Sequence, residues 1–339
     1  MKHAKVRFLM SGLVVFCFLV FCFLFGTAAF AQEKPLAYST PFPAPHRMGV
    51  LSDEWAKEVD KRTNGKVKIR IFYGGTLTPG DKSYDGTVQG LSDLGVTAPS
   101  YSFGRFPMVE LFDYPVGYTS NVGATRLVND FFARFKPKEY DDVKVMYFVV
   151  STMAGVHTNK AVNKLEDLKG MKLRSTGTVA QVVSALGGTP VALPIGDTYD
   201  SMSRGVINGI VSMNEALQGW KFAEVTKFTT EAKNANVALV MAIVMNKAKW
   251  NAIPPETQKI IEEINKEWID RSAKTWDEMA KAGKEFSLKL GHQFIQVSGE
   301  EDARWGKAVA PLFDAYVKDK KAKGLPADEA LKFCLERLN

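Results

Sequence analysis

Residues Pro255 to Leu290 read as one uninterrupted helix, and its length limits the architectures open to the rest of the chain. Pro254-Pro255-Glu256 suits a first helical turn, where proline's missing N–H costs nothing. Ile260, Ile261, Ile264, Trp268, Ser272, Trp276 and Met279 then recur at three- and four-residue spacing, no proline intervenes, and Gly291 stops the pattern. At 1.5 Å per residue such a rod is about 50 Å long, more than one small domain is wide. A helix of that length either protrudes or crosses two lobes, and crossing is the expected use in a chain of 339 residues. Gly283 is the expected weak point near its end.

Upstream, short apolar runs alternate with amphipathic stretches, which indicates an α/β fold. Strands are expected at 34–39, 67–72, 94–97, 143–150, 172–174, 210–212 and 238–245, and helices at 48–61, 83–89, 179–186 and 198–204. Asn64-Gly65, Gly170, Gly187-Gly188 and Gly205 punctuate them as turns or helix caps. The expected division is 1–31 as a signal peptide, 32–151 plus 238–276 as lobe I, and 152–237 plus 277–339 as lobe II.

The N-terminus specifies the compartment. Lys2, Lys5 and Arg7 precede an apolar run from Phe8 to Phe25, and Ala29-Phe30-Ala31 forms a small-x-small cleavage site before Gln32. The run could nearly span a bilayer, but the basic flank and the Ala-x-Ala end favour a cleaved export signal over an anchor. Neither Cys17 nor Cys22 is preceded by the small residues that lipid attachment needs. Cleavage leaves Cys334 as the single cysteine, which excludes an internal disulfide, and lowers the formal charge from +7 to +4. This mild basic excess has no Lys/Arg block, so it suits small anions better than nucleic acid.

The chain has no G-x-S-x-G, H-E-x-x-H, phosphate-loop or G-x-G-x-x-G motif. His3, His46, His157 and His292 are too far apart for a local metal site, so no metal or cofactor is expected. The acidic pairs Asp141-Asp142 and Glu262-Glu263 lie in polar contexts and read as solvated faces.

One segment carries binding chemistry. Leu165-Glu-Asp-Leu-Lys-Gly170 reads as a helical turn, Met171–Arg174 as a short strand, and Thr176 or Thr178 as the cap of the next helix. Arg174 therefore falls at a strand's C-terminal end beside a helix N-terminus, where an open α/β sheet binds anions. A guanidinium there can grip a carboxylate through two parallel hydrogen bonds. Taken alone, an arginine in this position is more often half of a surface ion pair.

A run of motifs then gives the segment a context: Trp55-Ala-Lys-Glu-Val, Thr63-Asn-Gly-Lys-Val, Gly74-Gly-Thr-Leu77, Val88-Gln-Gly-Leu-Ser-Asp-Leu-Gly95, the 165–174 stretch, Asp197-Thr-Tyr199, Gly205-Val-Ile-Asn-Gly209 and Lys221-Phe-Ala-Glu-Val225. In this order the chain resembles the DctP-type substrate-binding subunits of TRAP (tripartite ATP-independent periplasmic) transporters along essentially its whole mature length. The resemblance implies a two-lobed periplasmic-binding-protein fold, type II-like, with the long helix crossing both lobes. It implies a non-catalytic periplasmic protein, acting as a monomer, that closes on an organic anion and serves the small and large subunits of a Na⁺-coupled permease without ATP. The family's carboxylate-binding arginine falls on Arg174.

The departures refine the expected ligand. Relatives for dicarboxylates and sialic acids often carry a second arginine on the preceding strand, where Ser151–His157 has none, although His157 lies close. The family's Val-Asp-Gly turn carries Asn208 here, and its ligand-contacting amide position falls on Ser212, with Asn214 two residues on. Phe42, Tyr101, Phe103, Phe106, Tyr114, Tyr199 and Trp220 are candidates to border the cleft, and Phe42 and Tyr101 follow expected strands. The expected site is Arg174 with Phe42, His46, Ala98, Tyr101, Thr178, Ser212 and Asn214, holding a monocarboxylate with an apolar or aromatic body. The competing readings are an ABC-type or sensor-linked binding protein for a dicarboxylate or sugar acid, and a secreted enzyme assembled from distant residues.

Overall fold

A computed structural model describes residues 34–338; the signal-peptide reading falls on residues 1–31, outside the described residues. The strands are β1 (Leu36–Ser39), β2 (Ile69–Phe72), β3 (Leu94–Thr97), β4 (Val143–Val150), β5 (Ala154–Thr158), β6 (Lys172–Arg174), β7 (Thr189–Val191), β8 (Gly209–Met213), β9 (Phe228–Glu231), β10 (Val240–Asn246) and β11 (Gln293–Gln296). They form two mixed sheets, ordered β2-β1-β3-β10-β4 and β11-β9-β5-β8-β6-β7, one in each of two lobes. The chain passes between the sheets after β4, returns after β9, and passes again through the long helix before β11.

Alternation along the central strands explains why both faces of the first sheet are covered. In β10, Val240, Ala242 and Val244 enter one core, with Phe131 and Phe148. Met241, Ile243 and Met245 enter the opposite core, with Trp55 and Trp268. Successive strand residues point to opposite faces, so a nearly continuous apolar run is what a doubly covered strand requires.

The long helix spans Pro255–Lys289, close to the expected limits. Its N-terminal half packs on the helix Arg47–Arg62, where the Trp55 indole N–H donates to Asn265 at 3.0 Å. Its C-terminal half reaches the second lobe, where Phe286 packs near Leu217 and Phe222. The helix thus crosses both lobes. Gly283 does not weaken it: the helix runs through unbroken, and a Cβ there would lie 2.0 Å from the Asn214 carbonyl oxygen. Glycine is needed for this close approach.

Two expectations need correction. Residues 316–334, assigned to lobe II, pack into the first sheet's core, where Tyr316, Phe333 and Cys334 meet Phe112 and Phe131. Thr178 does not cap its helix: the helix begins at Gly177 after Thr176, which makes no side-chain cap, and the buried Thr178 hydroxyl has no partner among the described residues. Strands β5, β7, β9 and β11 and the helix Asn121–Phe135 are additional elements. The added strands are short and rich in Thr, Gly, Gln or Pro, so they lack the apolar alternation that marks a strand in sequence.

Alanine normally stabilises a helix interior relative to glycine by about 1 kcal/mol. At position 283 the sign is expected to reverse, because the added Cβ must displace backbone and overpacking costs about 1–3 kcal/mol. Gly283→Ala should therefore lower the melting temperature in thermal unfolding. An unchanged or raised value would show that the helix can shift freely past Asn214.

Candidate functional site

Strand ends from both sheets converge on one cavity. The first lobe supplies Phe42 after β1, Ala98 after β3 and Tyr101 in the following turn. The second supplies Arg174 at the end of β6 and Ser212 and Met213 at the end of β8, while Trp276 comes from the long helix. Ligand positions in open α/β sheets lie at such C-terminal ends, because adjacent connections diverge there.

Arg174 is 4% exposed. Its Nε donates to the Leu193 carbonyl at 3.0 Å and its Nη2 donates to the Tyr101 hydroxyl at 3.2 Å, with the guanidinium carbon 5.9 Å from the Tyr101 ring centre. Among the described residues no carboxylate lies within ion-pair distance of it, and its Nη1 has no protein acceptor. A buried cation without a counter-charge is costly, by several kcal/mol, unless an anion can reach it. The Tyr101 hydroxyl also accepts from the Ile195 backbone N–H at 3.3 Å, so one first-lobe side chain engages two second-lobe groups.

The other expected residues divide. Phe42, Ala98, Tyr101 and Ser212 line the cavity with Arg174. His46 sits just behind the wall, stacked on Phe42 at 4.7 Å and bonded through Nε2 to Glu215 at 3.1 Å. Thr178 is fully buried away from the lining, and Asn214 faces a second cavity, where its Nδ2 donates to Glu231 at 3.0 Å. Of the aromatic candidates Trp220 reaches the cavity, Phe106 and Tyr114 belong to the first lobe's core, Phe103 is exposed, and Tyr199 bonds Glu224. Sequence reasoning missed Glu215, Met213, Met241 and Trp276 as lining residues. The helical spacing of Trp276 marked it only as core, and an isolated Glu carries no signal of its surroundings.

His157 does not stand in for a second arginine. It is wholly buried behind Ser212, with Nε2 2.8 Å from the Ser212 carbonyl oxygen and Nδ1 2.8 Å from the Thr229 hydroxyl, which in turn meets His292 Nε2 at 2.7 Å. Burial first, and the nearby His292 second, push its pKa down to about 4. The neutral ring braces the backbone of a cavity-lining residue.

These features define a two-lobed extracellular solute-binding protein. The profile of the bacterial extracellular solute-binding protein family 7 (DctP) matches residues 42–320, and the chain belongs to that family, the substrate-binding proteins of TRAP transporters. It is 26% identical over 289 residues to the C4-dicarboxylate-binding periplasmic protein DctP of Vibrio cholerae, covering 81% of this chain and 83% of that one. A TRAP periplasmic solute-binding protein from Desulfovibrio salexigens, solved as an open complex, superposes with a TM-score of 0.79 at 29% identity, over 90% of this chain and 96% of that one. A TRAP solute-binding protein from Rhodoferax ferrireducens, solved with copurified benzoate, superposes with a TM-score of 0.84 at 24% identity, over 90% and 98%. The family is one of transport proteins that serve membrane permeases, not of enzymes, and the Vibrio cholerae relative is named as periplasmic. No helix of the described residues is long and apolar enough to cross a membrane.

The His157 environment has a measurable pH signature. The folded ring takes up a proton only near pH 4 and an unfolded histidine near pH 6.5, so acid favours the unfolded chain. Stability from this group is complete above about pH 6.5 and is lost towards pH 4, by about 2 kcal/mol at pH 5. His157→Gln should be less stable than wild type at pH 8 yet lose less between pH 8 and pH 5, read from urea midpoints. Equal acid losses in the two proteins would rule out a neutral buried His157.

Proposed function

We propose that this protein captures an organic monocarboxylate with an apolar or aromatic body and delivers it, as a monomer, to a Na⁺-coupled TRAP permease. The observation that carries this reading is Arg174: a buried guanidinium with no carboxylate partner among the described residues, in a cavity walled mainly by Phe42, Met213, Trp220, Met241 and Trp276. A ligand carboxylate would take the free Nη1 side through charge-assisted hydrogen bonds, and its body would lie against the aromatic walls. With a single arginine lining the cavity, one carboxylate is matched and a second has no cationic partner there. The benzoate carried by the Rhodoferax ferrireducens protein is of this class, whereas the name of the Vibrio cholerae relative specifies C4-dicarboxylates.

Delivery rests on lobe closure. We place the hinge in the connections 151–153 and 232–239 and in the long helix, with Tyr101 joining the lobes across the ligand site. Ligand binding would shift the population toward the closed form that the permease engages.

A thermal-shift screen of carboxylic acids tests the ligand class, since a ligand at 100 times its dissociation constant adds about 2.7 kcal/mol of stability. Aryl and other apolar-bodied monocarboxylates are expected to outrank succinate and sugar acids. Arg174→Met should weaken the best acid by about 3–5 kcal/mol in calorimetry, because the buried carboxylate loses its counter-charge. Wild-type affinity in that variant would remove Arg174 from the site.

A further inference from the structure

Glu215 stands on the wall of the same cavity as Arg174, and it is 3% exposed. The two do not pair: Glu215 has its ion-pair contact with His46, and Arg174 has none within 4.0 Å among the described residues. The cavity therefore carries one positive and one negative group, held apart.

The hydrogen-bond pattern of the His46–Glu215 pair fixes how the carboxylate is held. His46 is the N-cap of the helix Arg47–Arg62, and its Nδ1 accepts the Met48 backbone N–H at 3.2 Å. With Nδ1 accepting, Nε2 is the ring nitrogen left to donate, and it lies 3.1 Å from Glu215 Oε2. The contact orients the carboxylate and occupies one of its two oxygens. The ring is held between Phe42 at 4.7 Å and Trp220 at 5.8 Å. Position 219 must also be small: a Cβ on Gly219 would lie 2.7 Å from Glu215 Oε2 and 2.8 Å from His46 Nε2. The second oxygen of Glu215, Oε1, accepts no hydrogen bond from the described residues.

We infer that Glu215 is a specificity-determining residue that receives a hydrogen bond from a hydroxyl or N–H group on the part of the ligand away from its carboxylate. This rests on the reading that Arg174 holds that carboxylate. A ligand with a donor pairs with Oε1 where the carboxylate meets the cavity. A ligand without one leaves a desolvated carboxylate oxygen unpaired, and a ligand with a second carboxylate meets like charge in a poorly solvated space. The substrate class thus narrows from apolar monocarboxylates to monocarboxylates bearing a hydrogen-bond donor, with hydroxyaryl acids as the simplest probes.

Calorimetry on the full mature chain with benzoate, 3- and 4-hydroxybenzoate, isophthalate and terephthalate tests this. The better hydroxybenzoate should bind at least tenfold more tightly than benzoate, and both dicarboxylates at least a hundredfold more weakly than that hydroxybenzoate. In Glu215→Gln the hydroxyl preference should fall below threefold, and the better dicarboxylate should gain at least tenfold relative to benzoate. If Glu215→Gln shifts all five acids by one common factor, or if a dicarboxylate matches the hydroxybenzoates in wild type, the role of Glu215 is overturned. Should the variant not fold, the wild-type ranking decides alone: hydroxy acid over benzoate over dicarboxylate supports the role, and any other order overturns it. Arg174→Met separates the two levels. Unchanged benzoate affinity there overturns the underlying site, whereas lost benzoate binding with a flat wild-type ranking overturns only Glu215. Absence of binding by every acid to wild type overturns both.

Discussion

The guanidinium of Arg174 is the group around which the rest of the molecule is organised. It is buried where water cannot fully solvate it, and the described residues offer it a carbonyl and a phenol hydroxyl but no negative charge. Such a group costs stability, and under the proposed function a carboxylate would offset that cost. The Leu193 carbonyl fixes the plane of the fork, so part of the ordering entropy of binding is met before a ligand arrives.

The same side chain also takes part in joining the lobes. Tyr101 belongs to the first lobe, yet its hydroxyl accepts from Arg174 and from the Ile195 backbone in the second. Any separation of the lobes must break these contacts together. The long helix is keyed to the first lobe by Trp55–Asn265 and to the second by the close approach of Gly283 to Asn214.

Much of the frame was legible before any coordinates. The limits of the long helix, the strands at 94–97, 143–150 and 172–174, and the place of Arg174 at a strand end all follow from local pattern. Strand β5 was not legible, because Ala-Gly-Val-His-Thr shows one strong apolar residue and lies in the middle of its sheet, where burial comes from neighbours. The last two helices, Pro311–Ala322 and Ala327–Leu338, join the first lobe's core for a reason the sequence does not show: Tyr316, Phe333 and Cys334 are apolar on one face, and nothing in that face names its partner.

By itself the sequence determined the α/β class, the cross-lobe helix, the family and the place of Arg174 at a strand end, because each is written in residues near one another along the chain. Only the tertiary structure decided what surrounds that arginine. Glu215, Trp276 and His46 reach or back the cavity from separate elements, and Asn214, adjacent in sequence to Glu215, turns to a different cavity altogether. The physical reason is that helix and strand periodicity are short-range properties of the backbone. Charge balance in a buried cavity depends on side chains such as His46 and Glu215, brought together from 169 residues apart, and no local pattern encodes it.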